Sequence, residues 1–133
     1  MKTNPTVAIV GASNDRSKYS NKSLHAHLRA GYDVYPVNPK EEIVEGLKCY
    51  RSVPDIPVAL DRVSLYVPAP VGLKLLPAIA AKGCREVWVN PGAESPALMA
   101  EAERLGLNTI YACSLVDAGR MSTDSASDAP ASD

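Results

Sequence analysis

The stretch Val7-Ala8-Ile9-Val10-Gly11-Ala12-Ser13, continued through Asn14-Asp15-Arg16-Ser17-Lys18 to Tyr19, decides how the chain is read. Four consecutive apolar residues predict a buried strand over residues 6–10, and Gly11 turns the chain out of it. A polar loop follows. From Tyr19 to Arg29 the pattern is helical, with Leu24 and Leu28 four apart and Gly31 as the stop. A strand, a glycine turn and a helix start in that order aim backbone N–H groups and the positive end of a helix dipole at one spot. Phosphate is favoured there, so the junction predicts a nucleotide-like ligand.

Working outward, Asp33-Val34-Tyr35-Pro36-Val37 predicts a second strand ending at Asn38-Pro39-Lys40. Residues 46–50 are ambiguous, a turn leading to an edge element, and Ser52 to Pro57 reads as a helical turn or a loop. Arg62 to Val67 predicts the next strand, stopped by Pro68-Ala69-Pro70, with a helix from Val71 to Lys82 closed by Gly83. Glu86 to Val89 predicts another strand, ending at Asn90-Pro91-Gly92. Ser95 caps a helix from Pro96 to Leu105, and Leu107 to Tyr111 completes a last strand. Strands alternating with single helices predict an α/β fold: one Rossmann-like, doubly wound domain with a mostly parallel sheet. The loops at 11–18, 38–40, 68–70 and 90–93 then share the carboxyl edge, where such sheets bind ligands.

Composition narrows the function classes. The 133 residues suffice for one domain with a real core, at 46% hydrophobic residues. Lys+Arg at 14 nearly balance Asp+Glu at 15, and no basic stripe recurs, so a nucleic-acid partner is not expected. No apolar run approaches the roughly 20 residues that cross a bilayer, so no membrane partner is expected either. Met1 to Pro5 lead straight into the first strand, leaving no room for a signal peptide. Cys49, Cys84 and Cys113 are widely spaced and form no C-x-x-C pair, which predicts reduced thiols in a cytoplasmic protein and no metal site. Ser122 to Asp133 contains no strongly apolar side chain, so the domain is expected over residues 1–121 and a disordered tail over 122–133.

The dinucleotide fingerprint G-x-G-x-x-G would place glycines at 11, 13 and 16; here those positions hold Gly11, Ser13 and Arg16. The acid that grips the ribose of NAD is also missing, since Asn38 ends the second strand and Asp33 lies at its other end. NAD is disfavoured, while NADP stays open because Arg16, Lys18 or Lys40 could meet a 2′-phosphate.

Four motifs carry a family resemblance: Gly11-Ala12-Ser13, Val37-Asn38-Pro39-Lys40, Tyr66-Val67-Pro68-Ala69-Pro70 and Val89-Asn90-Pro91-Gly92-Ala93. Over about residues 5–117 the chain resembles the stand-alone CoA-binding domain proteins, whose fold is shared with the amino-terminal domain of the succinyl-CoA synthetase α subunit. The resemblance implies coenzyme A or an acyl-CoA as ligand. It implies that the first loop, with Gly11 and Ala12 and then Ser13, Asn14, Asp15, Arg16, Ser17 and Lys18, wraps the phosphates. Val37, Asn38, Pro39 and Lys40 would lie at the adenosine end, with Lys40 on the ribose 3′-phosphate. Tyr66, Val67 and Pro68 would form an apolar wall, and Asn90 and Pro91 would flank the pantetheine arm. The chain departs from the synthetase-like pattern in its first loop, which is polar and charged instead of glycine-rich. The synthetase's phosphorylated histidine lies in a further domain with no counterpart in this sequence.

The remaining chemistry-bearing residues read more plainly. His25 and His27, two apart, are expected on different faces of the first helix and at its surface. Trp88 is expected in the core and Glu86 as a solvated strand-entry residue. Cys113 falls near the carboxyl edge, where its thiolate could exchange with a CoA thiol; as a small buried residue it needs no such role. No nucleophile–base constellation stands out, so the expectation is non-catalytic binding of CoA or acyl-CoA, storing it or presenting it to an unidentified protein partner. The alternative is an NADP-binding reductase or reductase subunit.

Overall fold

The computed structural model describes residues 3–125. The opening elements fall where the sequence puts them: β1 (Thr6–Val10), α1 (Tyr19–Arg29) and β2 (Asp33–Val37). The ambiguous segment is an antiparallel hairpin of β3 (Ile43–Val44) and β4 (Leu47–Lys48). Its two-residue turn has both φ angles positive, +50° at Glu45 and +79° at Gly46, which suits the twist of a tight hairpin. Glycine accepts that geometry freely. Glu45 does not, and Asn14 Oδ1 compensates by accepting the Glu45 N–H at 2.8 Å. A 3₁₀ turn (Val53–Asp55) precedes β5 (Leu60–Leu65), α2 (Ala69–Lys82), β6 (Cys84–Val89), α3 (Pro96–Arg104), β7 (Thr109–Ile110) and α4 (Ser114–Ser125).

All five strands of the main sheet run parallel, in the order β2-β1-β5-β6-β7. The doubly wound α/β reading is therefore correct. The chain builds outward from β1 in one direction to β2 and in the other to β5, so a crevice opens where the carboxyl ends of β1 and β5 part.

Several boundaries move. β5 begins at Leu60, not Arg62, because Leu60 already pairs with Cys84, and it ends at Leu65. Tyr66 N–H still donates to the Val10 carbonyl at 2.9 Å. Pro68 then has no N–H to continue the ladder, and α2 starts at once, at Ala69. β7 is shorter than residues 107–111. α3 starts as predicted, with Leu98 N–H donating to Ser95 Oγ at 3.1 Å. No element was expected beyond Tyr111, yet the α4 backbone continues to Ser125, into the first four residues assigned to the tail; residues 126–133 lie outside the described ones.

The two faces of the sheet differ. Ala8, Val10, Val63, Leu65, Val87 and Val89 point to one face and meet Leu76 and Ile79 of α2 and Leu98 and Ala102 of α3. On the other face Val7, Ile9 and Val34 pack under Leu24 of α1. Alternation along β5 and β6 also sends Arg62, Ser64, Glu86 and Trp88 to that second face. There α4 covers them with Ser114 and Asp117.

Candidate functional site at the carboxyl edge

Gly11 ends β1 at the switch point with φ +89°, and a Cβ there would collide with the Tyr66 carbonyl oxygen and lie 3.1 Å from Val67 Cγ1. Only glycine lets the β1 and β5 exits approach this closely. Gly11 and Ala12 N–H groups both donate to the Val37 carbonyl, at 3.0 and 3.2 Å. Asn38 Nδ2 returns a bond to the Ala12 carbonyl at 2.8 Å, and its Oδ1 accepts the Lys40 N–H at 2.8 Å. Asn38 therefore ties the loops after β1 and β2 together and holds the backbone at Lys40.

Two cavities meet at Gly11 and Val67. The first, about 360 Å³, lies towards β2 and α2. Of the predicted site residues it is lined by Gly11, Val37, Asn38, Pro39, Lys40 and Val67. Its far wall was not predicted: Val71, Leu75, Ala78 and Ile79 of α2, and Arg51, Ser52, Val53 and Pro54 around the 3₁₀ turn. The interior is apolar, and Lys40 and Arg51 are the charged residues lining it. Tyr50 N–H donates to the Pro36 carbonyl at 2.9 Å and Asn38 N–H to the Tyr50 carbonyl at 2.9 Å, which brings residues 50–54 alongside the end of β2. That pairing carries a weak sequence signal, Tyr50-Arg51-Ser52-Val53-Pro54 after a hairpin, and so the wall was missed.

The second cavity, about 370 Å³, lies between the start of α1 and the ends of β5 and β6. Gly11, Lys18, Tyr66, Val67, Pro68, Asn90 and Pro91 line it, with Tyr19 and Ser20 of the first turn of α1. That helix start has no side-chain cap and no acidic residue in its first turn, and Lys18 stands at its N-cap. Asn21 N–H already donates to the Lys18 carbonyl at 3.1 Å, but the Tyr19 and Ser20 amides before it have no intrahelical acceptor and carry the positive end of the dipole, so an anion would be stabilised there.

Asn90 closes the floor, 1% exposed. Its Nδ2 donates to Ser64 Oγ at 2.9 Å and to the Leu65 carbonyl at 2.8 Å, while Oδ1 accepts the Ser114 N–H at 2.8 Å and the Ser114 hydroxyl at 3.0 Å. The amide is fully used within the protein, so Asn90 shapes the crevice and has little left to offer an incoming group. Tyr66 reaches from the crevice wall into the same network, its hydroxyl 3.0 Å from Ser114 Oγ, and burial raises its pKa.

The rest of the first loop is committed elsewhere. Ala12 is buried, and Ser13, Asn14, Asp15, Arg16 and Ser17 line neither cavity. Asn14 Nδ2 donates to the Ile43 carbonyl at 3.1 Å, and Arg16 Nε to Glu45 Oε2 at 3.2 Å, docking the loop on the β3–β4 hairpin. Hydrogen bonds from His25, Asn21 and Arg16 hold the Glu45 pKa down to about 2. Asp15 Oδ1 accepts from the Ser17 hydroxyl at 2.6 Å and its N–H at 2.9 Å, and these bonds lower its pKa. The acid is thus occupied inside its own turn.

Two surface expectations are corrected. His27 is not a surface residue; it is 0% exposed. Its Nδ1 lies 2.8 Å from the Ser23 carbonyl, which can only accept, and its Nε2 lies 3.3 Å from Arg62 Nη1, which can only donate. The ring is therefore the neutral Nδ1–H tautomer, and burial takes its pKa down to about 4. Glu86 is not merely solvated: its Oε1 accepts from Trp88 Nε1 at 3.0 Å and Arg62 Nε at 3.2 Å. Trp88 is buried as expected, but the Arg62 guanidinium stacks 4.5 Å from its ring centroid. Cys113 is half-buried just before α4 and lines neither cavity.

A family model described as "CoA binding domain" matches residues 5–119. The chain belongs to that CoA-binding domain family. The α subunit of acetate–CoA ligase (ADP-forming) II from Pyrococcus furiosus is 38% identical over 86 residues, covering 62% of this chain and 18% of that protein. A trans-feruloyl-CoA synthase from an unknown prokaryotic organism is 31% identical over 86 residues, covering 63% of this chain and 12% of the synthase. The chain thus spans less than a fifth of these curated relatives. Among solved structures, a conserved hypothetical protein from P. furiosus is 36% identical with a TM-score of 0.77, covering 86% of this chain and 99% of that one. A dinucleotide-forming acetyl-coenzyme A synthetase from Ca. Korarchaeum cryptofilum, solved with phosphate and ADP, is 30% identical with a TM-score of 0.70, covering 82% of this chain and 26% of that one. Among the described residues of this CoA-binding domain protein, no helix is long and apolar enough to cross a membrane, and no cluster of acidic, His and Cys side chains could hold a metal ion.

Proposed function

We propose that this protein binds coenzyme A or an acyl-CoA along the carboxyl edge of its sheet and performs no chemistry on it by itself. The observation that carries the reading is the pair of cavities joined at Gly11 and Val67. One is an apolar box with cations at its rim, suited to adenosine. The other is a crevice headed by a bare helix start, suited to pyrophosphate followed by a neutral arm. Membership of the CoA-binding domain family supports the same ligand. In this assignment Val37, Pro39 and Val67 flank the base, Lys40 faces the ribose phosphate, and Gly11, Lys18 and the first turn of α1 take the pyrophosphate. Tyr66, Pro68, Asn90 and Pro91 wall the pantetheine arm. The loop from Ser13 to Ser17 acts as a brace for this site through its bonds to the hairpin. The absence of a catalytic step is supported by the state of the nearest candidates: Ser114 and His27 are both buried and their polar atoms are taken up by neighbours. The bound ligand would be stored or handed to a partner protein.

Calorimetric titration with CoA, NADP and NAD tests the reading. Saturable binding of CoA alone is expected. Binding of NADP alone would overturn it in favour of a reductase.

A further inference from the structure

Arg51 was not singled out by any sequence motif, yet it lines two adjoining cavities. Besides the apolar cavity, it and Lys40 line a neighbouring one of about 320 Å³ under the β3–β4 hairpin, where Glu41, Glu42 and Lys48 are the other charged residues. The two glutamates line only the outer cavity, whereas Lys40 and Arg51 line both. These two cations therefore stand on the shared wall, at the mouth of the apolar box. Neither takes part in an ion pair among the described residues. Asp55, the acid nearest Arg51 in sequence, is engaged by the Ser52 hydroxyl at 3.1 Å.

The backbone on both sides of Arg51 is held. Tyr50 pairs in parallel with Val37, its ring meets Tyr35 edge-on at 6.1 Å, and Val53 begins the 3₁₀ turn with a buried side chain. Arg51 and Lys40 thus both project from held backbone, Lys40 N–H being bonded to Asn38 Oδ1, and both line the same two cavities. Such a pair matches a dianionic phosphate monoester, because guanidinium can bond two of its oxygens at once while ammonium supplies a point charge.

We propose that Arg51 is a specificity-determining residue which, together with Lys40, reads the 3′-phosphate on the adenosine of CoA and so separates CoA from 3′-unphosphorylated adenine nucleotides. This rests on the CoA reading above. With the base in the apolar box and the pyrophosphate leaving past Gly11 towards α1, the ribose 3′ substituent is the charged group left at the mouth. The pyrophosphate already has the helix start and Lys18, so removal of Arg51 should leave it untouched.

The test is titration of the wild-type protein, Arg51→Ala and Arg51→Lys with CoA, dephospho-CoA and ADP, with thermal unfolding to confirm that each variant is folded. The wild type should prefer CoA over dephospho-CoA by about tenfold or more, as expected for a charge-assisted contact. Arg51→Ala should lose about tenfold for CoA and change by less than about twofold for dephospho-CoA and ADP. Arg51→Lys should fall between, keeping charge but not the fork. Equal losses for CoA and dephospho-CoA, or no loss for either, would overturn the role of Arg51 while leaving CoA binding intact. Failure of the wild-type protein to bind CoA saturably would instead overturn the CoA reading, and this inference with it.

Discussion

The face of the sheet under α2 and α3 and the face under α1 and α4 hold the same strands by different means. Under α2 and α3, Leu65, Val87 and Val89 meet Leu76, Ile79 and Leu98, all essentially without exposure. Under α1 and α4, the corresponding stretch of β5 and β6 presents Arg62, Ser64 and Asn90, and α4 answers with Ser114 and Asp117. Apolar packing tolerates small shifts and cares little about pH. A buried polar network holds only if every member is satisfied, and it then permits one arrangement. Here every buried side-chain nitrogen and oxygen among the described residues has a partner. The two faces divide the labour: one supplies bulk stability, and the other sets where Tyr66 and Asn90 stand in the crevice at the carboxyl edge.

That contrast can be broken from either side. Leu76→Ala removes a fully buried side chain from the apolar face and should cost about 2–5 kcal/mol in urea unfolding, equally at pH 5 and pH 7. The polar face should respond to acid. His27 has a folded pKa of about 4 against an ordinary 6.5, so between these values the unfolded chain binds the proton first. Its contribution is complete above pH 6.5 and is lost as the pH falls towards 4, of order 3 kcal/mol in all. Urea midpoints from pH 5 to 7 should therefore slope for the wild type and flatten for His27→Gln; an unchanged slope would refute the assignment. Lowered carboxylate pKa values such as that of Glu45, about 2 against an ordinary 4.5, take effect as the pH falls below about 5, so the His27 contrast is read above it.

Asn90→Ala sharpens the comparison. It strands the Ser114 N–H and the Leu65 carbonyl, and should cost about 1–3 kcal/mol, with faster amide exchange at the start of α4. Normal protection of α4 in this variant would show that the network is dispensable. The smallest effect is expected at the rim, where Glu45→Gln loosens the brace between the first loop and the hairpin. The drop in Tm should be slight and should shrink further in about 1 M salt, where exposed charges are screened.

Much of the frame was legible because it depends on short-range pattern. Val7 to Gly11, the helix from Tyr19 to Arg29 and Ser95 before Pro96 each carry their own local signal: apolar run, turn residue or cap. The site was legible in part for the same reason, since strand ends in a parallel sheet collect at one edge. Gly11, Lys40, Val67 and Pro91 could be placed there without coordinates. Arg51 and the α2 wall could not, because their approach to Lys40 depends on a hairpin folding back so that Tyr50 pairs beside β2. α4 was missed for a related reason: Ser114 and Asp117 dock it on Ser64, Asn90 and Arg62, partners that only the folded sheet brings within reach.

By itself, then, the sequence determined most of the succession of strands and helices, the parallel sheet and the edge at which its polar loops gather, because periodicity and turn chemistry act between near neighbours. Only the tertiary structure decided which polar groups are spent and which are free. His27 is sealed against Arg62, Asn90 is saturated and Arg16 is drawn to Glu45, while Lys40 and Arg51 stand together at the mouth of an apolar box. A side chain's hydrogen-bonding and charge state are set by what lies within a few ångströms of it, and those neighbours come from distant parts of the chain.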